Sequence, residues 1–109
     1  MGIKNLFSNI PDSVPEEIFE PLLENKNMRL ERIISDGQAT PQGEWYDQDT
    51  DEWVLLLQGS AGLFFEGEKE ARAMKPGDYI LIPAHKRHRV GWTDKQQKTI
   101  WLALHYKSR

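Results

Sequence analysis

The sequence predicts a mainly-β domain, a closed or sandwiched sheet structure with a short N-terminal helical segment. Two observations carry this. From Met28 onward, short apolar runs are separated by Gly, Pro and Asp, and turn signals about every 8–12 residues mark sandwiches and barrels. The chain has 109 residues, and a single hydrophobic core serves about 50–200, so one sheet domain accounts for its length.

Residues 1–27 read differently from the rest. Ser13 and Glu16 stand in capping-box spacing, Pro15 falls in the first turn, and Glu17 suits the positive end of a helix dipole. Ile18, Leu22 and Leu23 can share a face, while Pro21 keeps any helix short or kinked. Segment 1–27 is expected to cap a sheet edge or end, or to serve as a dimer arm. Residues 28–109 form the sheet domain.

Within that domain Met28–Ile34 is a strand, and Ser35–Gly43 a loop carrying Gly37, Pro41 and Gly43. Trp53–Gln58 is a buried run, Gly59–Gly62 a turn, and Leu63–Glu66 and Lys69–Met74 the arms of a hairpin closed by Gly67-Glu68. Lys75-Pro76-Gly77-Asp78 has Pro second and Gly third, the chemistry of a type II turn. Tyr79–Ile82, His88–Trp92 and Thr99–Tyr106 complete the strands.

Composition excludes several classes. Fourteen basic against 17 acidic residues give a net charge of −3, which argues against nucleic-acid or anionic-membrane binding. There is no cysteine, hence no disulfide framework, thiolate zinc site or cysteine nucleophile. No apolar run approaches the ~20 residues of a membrane span, and the start MGIKNLFSNIPD lacks a signal-peptide core. The expectation is a cytoplasmic domain that binds a small molecule.

Two segments say more. The first runs Gly43-Glu-Trp-Tyr-Asp-Gln-Asp-Thr-Asp-Glu52 and on to Gly59; the second is Pro76-Gly77-Asp78-Tyr-Ile-Leu-Ile-Pro83-Ala-His-Lys-Arg-His88. Together they resemble the paired signature motifs of the cupin superfamily, through Gly43, Glu52 and Gly59 in the first and Gly77, Asp78, Pro83 and His88 in the second. The resemblance spans roughly Met28–Tyr106. It implies a double-stranded β-helix, or jelly-roll barrel, with a site in the barrel mouth that often holds a divalent metal, and it implies frequent homodimers. The chain departs from the pattern where the superfamily places His-x-His before the glutamate. A four-residue gap puts Trp45 and Asp47 there, a three-residue gap Tyr46 and Gln48.

The candidate metal ligands are His88, Glu52, Asp47 and Gln48, since imidazole and carboxylate suit Fe, Mn, Ni, Zn or Cu. Strand alternation puts Glu52, Val54 and Leu56 on one face, His88, Val90 and Trp92 on another, and Trp101, Ala103 and His105 on a third. Glu52 and Tyr46 are the candidate catalytic groups; Trp45, Trp92 and His105 are candidates for substrate contact. The basic stretch His85–Arg89 and the alternating Asp47, Asp49 and Asp51 are read as solvated loops. The expected function is a divalent-metal-dependent enzyme of isomerase, epimerase or dioxygenase type on a small polar or anionic substrate. The alternative is a metal-free small-molecule binding or sensing module.

Overall fold

In the computed structural model, which describes residues 1–107, eight antiparallel strands form two facing sheets. The strands are β1 (Ile18–Asn25), β2 (Met28–Ser35), β3 (Asp51–Gln58), β4 (Ala61–Phe65), β5 (Arg72–Met74), β6 (Tyr79–Ile82), β7 (His88–Thr93) and β8 (Thr99–Tyr106). The larger sheet has the order β1-β2-β8-β3-β6 and the smaller β5-β4-β7. The mainly-β jelly-roll expectation stands. The last two positions of the expected 28–109 domain lie outside the described residues.

The N-terminal helix is a correction: no helix forms among the described residues. Local capping chemistry favoured one, but Ile18–Asn25 finds the open edge of β2 and pairs with it from Ile18↔Ile34 to Asn25↔Met28. Pro21 sits beside the register shift in this edge strand, a position that costs the sheet no donor. Tertiary pairing outweighed the helical signal. Residues 1–17 are irregular in the structure.

The core fills the space between the sheets. Leu56, Ala61, Leu63, Phe65, Ile82, Trp101 and Ala103 are buried there, and each large apolar side chain so buried contributes about 1.5–3 kcal/mol. Gly59 is fixed by two constraints: its φ is +86°, and a Cβ would lie 2.4 Å from Thr99 Oγ1 and 2.8 Å from Thr99 Cα. Packing is dense at this end. Toward the other end the hydrocarbon gives way to polar side chains around a cavity.

Candidate functional site

Three neighbouring strands bring the site together on one rung. Arg29 on β2 lies opposite His105 on β8, and His105 lies opposite Glu52 on β3. Because successive side chains alternate between faces, Arg29, Glu31 and Ile33 of β2 line the same cavity as Glu52 and Val54 of β3 and Trp101 and His105 of β8. The smaller sheet closes the opposite side with Leu63, His88 and Val90. The cavity holds about 260 Å³.

His88 reaches this space from the start of β7. Its backbone makes a bridge with Tyr46 (Tyr46 N to His88 O 2.7 Å, His88 N to Tyr46 O 3.2 Å), and His85 N donates to Gln48 O at 2.7 Å. The loop is therefore laid beside β7, and alternation turns Tyr46 and Gln48 into the cavity. Of the two spacings the sequence allowed, the three-residue gap supplies the lining. Asp47 instead faces out, where its Oδ1 sits 3.0 Å from His85 Nδ1. Trp45 packs outside the smaller sheet against Phe64, beneath Arg87 and Arg89.

Trp92 also stands apart from the cavity. Strict alternation places it with His88 and Val90, but the β4–β7 register passes from Gly62↔Trp92 to Leu63↔Val90. The extra residue, Gly91, is a bulge that re-aims the strand. Trp92 is left exposed, with its ring against Gly62.

The polar contacts form one cluster. His88 Nε2 lies 3.4 Å from Glu52 Oε1, and His105 Nε2 lies 2.9 Å from Glu31 Oε1 and 3.8 Å from Glu52 Oε2. The other ring nitrogens are braced: His88 Nδ1 sits 2.8 Å from the Lys86 carbonyl and His105 Nδ1 3.0 Å from Gln48 Oε1. Arg29 Nε is 3.4 Å from Glu31 Oε2 at the solvent side. Beyond it, Ser35 Oγ donates to Glu17 Oε2 and accepts from Trp101 Nε1.

This environment shifts three groups. Burial disfavours the His88 imidazolium, but the hydrogen bond to Glu52, the Lys86 carbonyl and the Glu52 charge outweigh it, and His88 titrates above the usual histidine value. Burial likewise opposes ionisation of Glu31, yet His105 and Arg29 hold its carboxyl below the usual range. Tyr46 is pushed up by burial and by the charge of Glu17, against a Thr40 hydrogen bond, with Glu52 and Glu31 adding to the rise. Its phenol stays protonated and can donate.

His88 and Glu52 are right in kind for a divalent cation, and the Lys86 carbonyl behind His88 is the bracing that metal-bound imidazoles commonly have. The expected set does not converge, however. Asp47 points away, Gln48 is turned to His105, and His105 is turned to Glu31. Among the described residues no three His, Asp or Glu side chains are arranged to hold a metal ion. His105 is hydrogen-bonded to Gln48 and Glu31, and His88 faces Glu52 at 3.4 Å.

Sequence reasoning missed Glu31, Arg29 and Glu17. The signal was present in MRLERII, whose alternation puts Arg29 and Glu31 on the same face as Ile33. Charged residues on a strand read as its solvent face unless something identifies that face as a cavity wall.

A family model described as a cupin domain matches residues 33–105. No curated protein matches the chain. Among solved structures, a Ralstonia eutropha JMP134 protein described as a "putative mannose-6-phosphate isomerase" is 52% identical, covering 99% of this chain and 100% of that one with a TM-score of 0.95. A cupin superfamily protein of Desulfitobacterium hafniense DCB-2 is 20% identical over 91% of this chain and 84% of its own, with a TM-score of 0.74. An RmlC-like cupin family protein of Methanocaldococcus jannaschii with a double-stranded β-helix fold is 13% identical over 90% and 86%, with a TM-score of 0.69. The last two likenesses show the fold alone.

Proposed function

The chain belongs to the cupin family, and on that footing we propose that it is an isomerase-type enzyme moving a proton between adjacent carbons of a small hydroxy carbonyl compound. The observation that carries this is Glu52, a buried carboxylate with His88 and His105 beside its two oxygens at 3.4 and 3.8 Å, in one cavity with the Tyr46 phenol. The description of the 52%-identical Ralstonia protein as an isomerase points the same way.

Glu52 takes the proton from the carbon beside the carbonyl and returns it to the neighbouring carbon. Both imidazole contacts are longer than a good hydrogen bond, so the carboxylate keeps lone pairs for substrate. Tyr46, held protonated by burial and its acidic neighbours, donates to the carbonyl oxygen as negative charge develops there, and it recovers a proton from the neighbouring hydroxyl as that oxygen becomes the new carbonyl. His88 steadies the charge on Glu52, and the apolar walls of Ile33, Val54, Leu63 and Val90 keep water off the intermediate. No step in this scheme is assigned to a metal. A divalent metal, as the family resemblance implies, would have His88 and Glu52 as its first donors, whose chemistry suits Fe, Mn, Ni, Zn or Cu. Element-resolved analysis of protein purified without an affinity tag measures occupancy directly. This enzyme would work in the cytoplasm on small molecules rather than on nucleic acid or a membrane. It would do so as a homodimer, a state supported by the exposed Phe19, Leu22 and Leu23 on edge strand β1.

The test is solvent deuterium exchange into a panel of hydroxy carbonyl compounds, followed by NMR. Glu52→Gln should abolish exchange while stability moves by less than about 1 kcal/mol, because the amide keeps the shape and one acceptor. Exchange that survives the substitution would remove Glu52 from the chemistry. A second reading, a metal-free binding module, is favoured by the aliphatic and aromatic side chains of Ile33, Val54, Leu63, Ile82, Val90 and Trp101 in the walls; a compound that saturates the pocket and emerges without deuterium supports it.

A further inference from the structure

A hydroxy carbonyl substrate can arrive free or as a phosphate ester, and the charges around the cavity distinguish the two. Glu17, Glu31 and Glu52 all line it, and Arg29 is the one arginine or lysine among the described lining residues. Arg29 is drawn toward Glu31 at 3.4 Å. His105 Nε2 is bonded to Glu31 at 2.9 Å and His88 Nε2 faces Glu52 at 3.4 Å, so at each imidazole a ligand phosphate would compete with a carboxylate.

The nearby arginines outside the cavity are engaged elsewhere. Arg87 pairs with Glu66 at 2.6 Å, and Arg87 and Arg89 lie over Trp45 on the outside of the smaller sheet. Arg32 binds backbone carbonyls on the outer face of β2. Phosphate is usually received by arginine, lysine or the amides at a helix N-terminus, and there is no helix among the described residues.

Resting on the isomerase reading above, we infer that the cavity takes the uncharged hydroxy carbonyl compound and rejects its phosphate ester. Hydroxyl groups donate to carboxylate oxygens and accept from the Tyr46 phenol, while the carbon skeleton packs on Val54, Leu63 and Trp101. A dianion would meet three carboxylates in a site too poorly solvated to screen them. Size agrees: a cavity near 260 Å³ lies below the roughly 300–1,000 Å³ usual for drug-sized ligands.

The experiment pairs free aldoses and ketoses, from trioses to hexoses, with their phosphate esters, adding inorganic phosphate alone. Binding is read by tryptophan fluorescence and thermal shift, and turnover separately by deuterium exchange. At least one free compound should bind about tenfold or more tightly than its own ester, and Glu17→Gln should narrow that gap several-fold by removing one repelling charge. An ester that binds as tightly as its free partner overturns the inference, as does a panel in which no free compound binds. A free compound that binds preferentially without exchange supports the inference and defeats the isomerase reading. An ester that is preferentially bound and turned over does the reverse.

Discussion

Strand β2 carries charge on both faces, and the two faces use it in opposite ways. On the outer face Arg32 is closed off. Its Nη1 donates to the carbonyls of Leu6 and Ser8 at 2.9 and 2.7 Å, and its Nη2 to Glu20 at 3.3 Å. Its Nε sits 3.1 Å from Glu20 Oε1 without hydrogen-bond alignment. The guanidinium is spent tying residues 6–9 across the sheet, and its bonds go to none of the residues that line the Glu52 cavity. On the inner face, one residue earlier, Glu31 is just as buried but faces His105, Arg29 and open space. Buried charge alone therefore does not mark a functional site. What separates the two faces is the chemistry of the partners: backbone carbonyls and Glu20 take up the donors of Arg32, whereas Glu31 shares its cavity with Glu52, two imidazoles and a phenol.

Arg32→Ala should break the outer face and cost more stability than removal of any other charged side chain of β2. It strips two strong hydrogen bonds from backbone carbonyls and leaves Glu20 without its partner, a loss of roughly 2–4 kcal/mol. Urea unfolding measures the loss, and limited proteolysis should show cleavage within residues 1–10 before the sheets open. Activity per folded molecule should be kept. A variant that unfolds normally but loses activity would mean that the clasp shapes the cavity, and the contrast between faces would fail.

Most strands from Met28 onward were legible because turn chemistry is local: Pro76-Gly77 announces its own turn, and Gly77 has the positive φ that a type II turn requires. The exceptions are Ala61 and Gly62, which belong to β4 rather than to a turn, and the expected arm Lys69–Met74, of which only Arg72–Met74 pairs. The segment before Met28 was misread because its fate depends on a partner. Ser13, Pro15 and Glu16 favour a helix until β2 offers Ile18–Asn25 an unpaired edge. The site divides the same way. Glu52 and His88 were visible through motif spacing, and they meet across the hollow at 3.4 Å. The choice between Tyr46 with Gln48 and Trp45 with Asp47 depended on how the loop docks on β7, which spacing within the loop cannot reveal. Trp92 depended on one bulged residue.

The inner face should set the pH dependence of stability, because it holds both Glu31 and His88. Glu31 ionises more readily folded than unfolded, so its contribution is present above the usual glutamate value of 4.5 and is lost as pH falls through the lower folded value. His88 is raised, so its contribution is complete below 6.5 and is lost as pH climbs through the higher folded value. Melting temperature should decline on both sides. Glu31→Gln should flatten the acid limb and Glu52→Gln the alkaline one. Limbs unchanged in both variants would mean that these pairs do not set the profile.

The smallest effect is expected at Arg29, and it tests the contrast most finely. Arg29 belongs to the inner face, yet its side chain is 47% exposed and its contact with Glu31 is 3.4 Å. An ion pair so open to water contributes about 0–1 kcal/mol before screening by salt. Arg29→Ala should therefore cost less than about 0.5 kcal/mol and leave binding of a free hydroxy carbonyl compound within a few-fold of the parent. It should also weaken phosphate esters further, because the cavity loses its one permanent positive charge and keeps all three carboxylates. A large loss of free-compound binding would show that Arg29 grips the ligand itself, and the inner face would then depend on a cation as much as the outer one does.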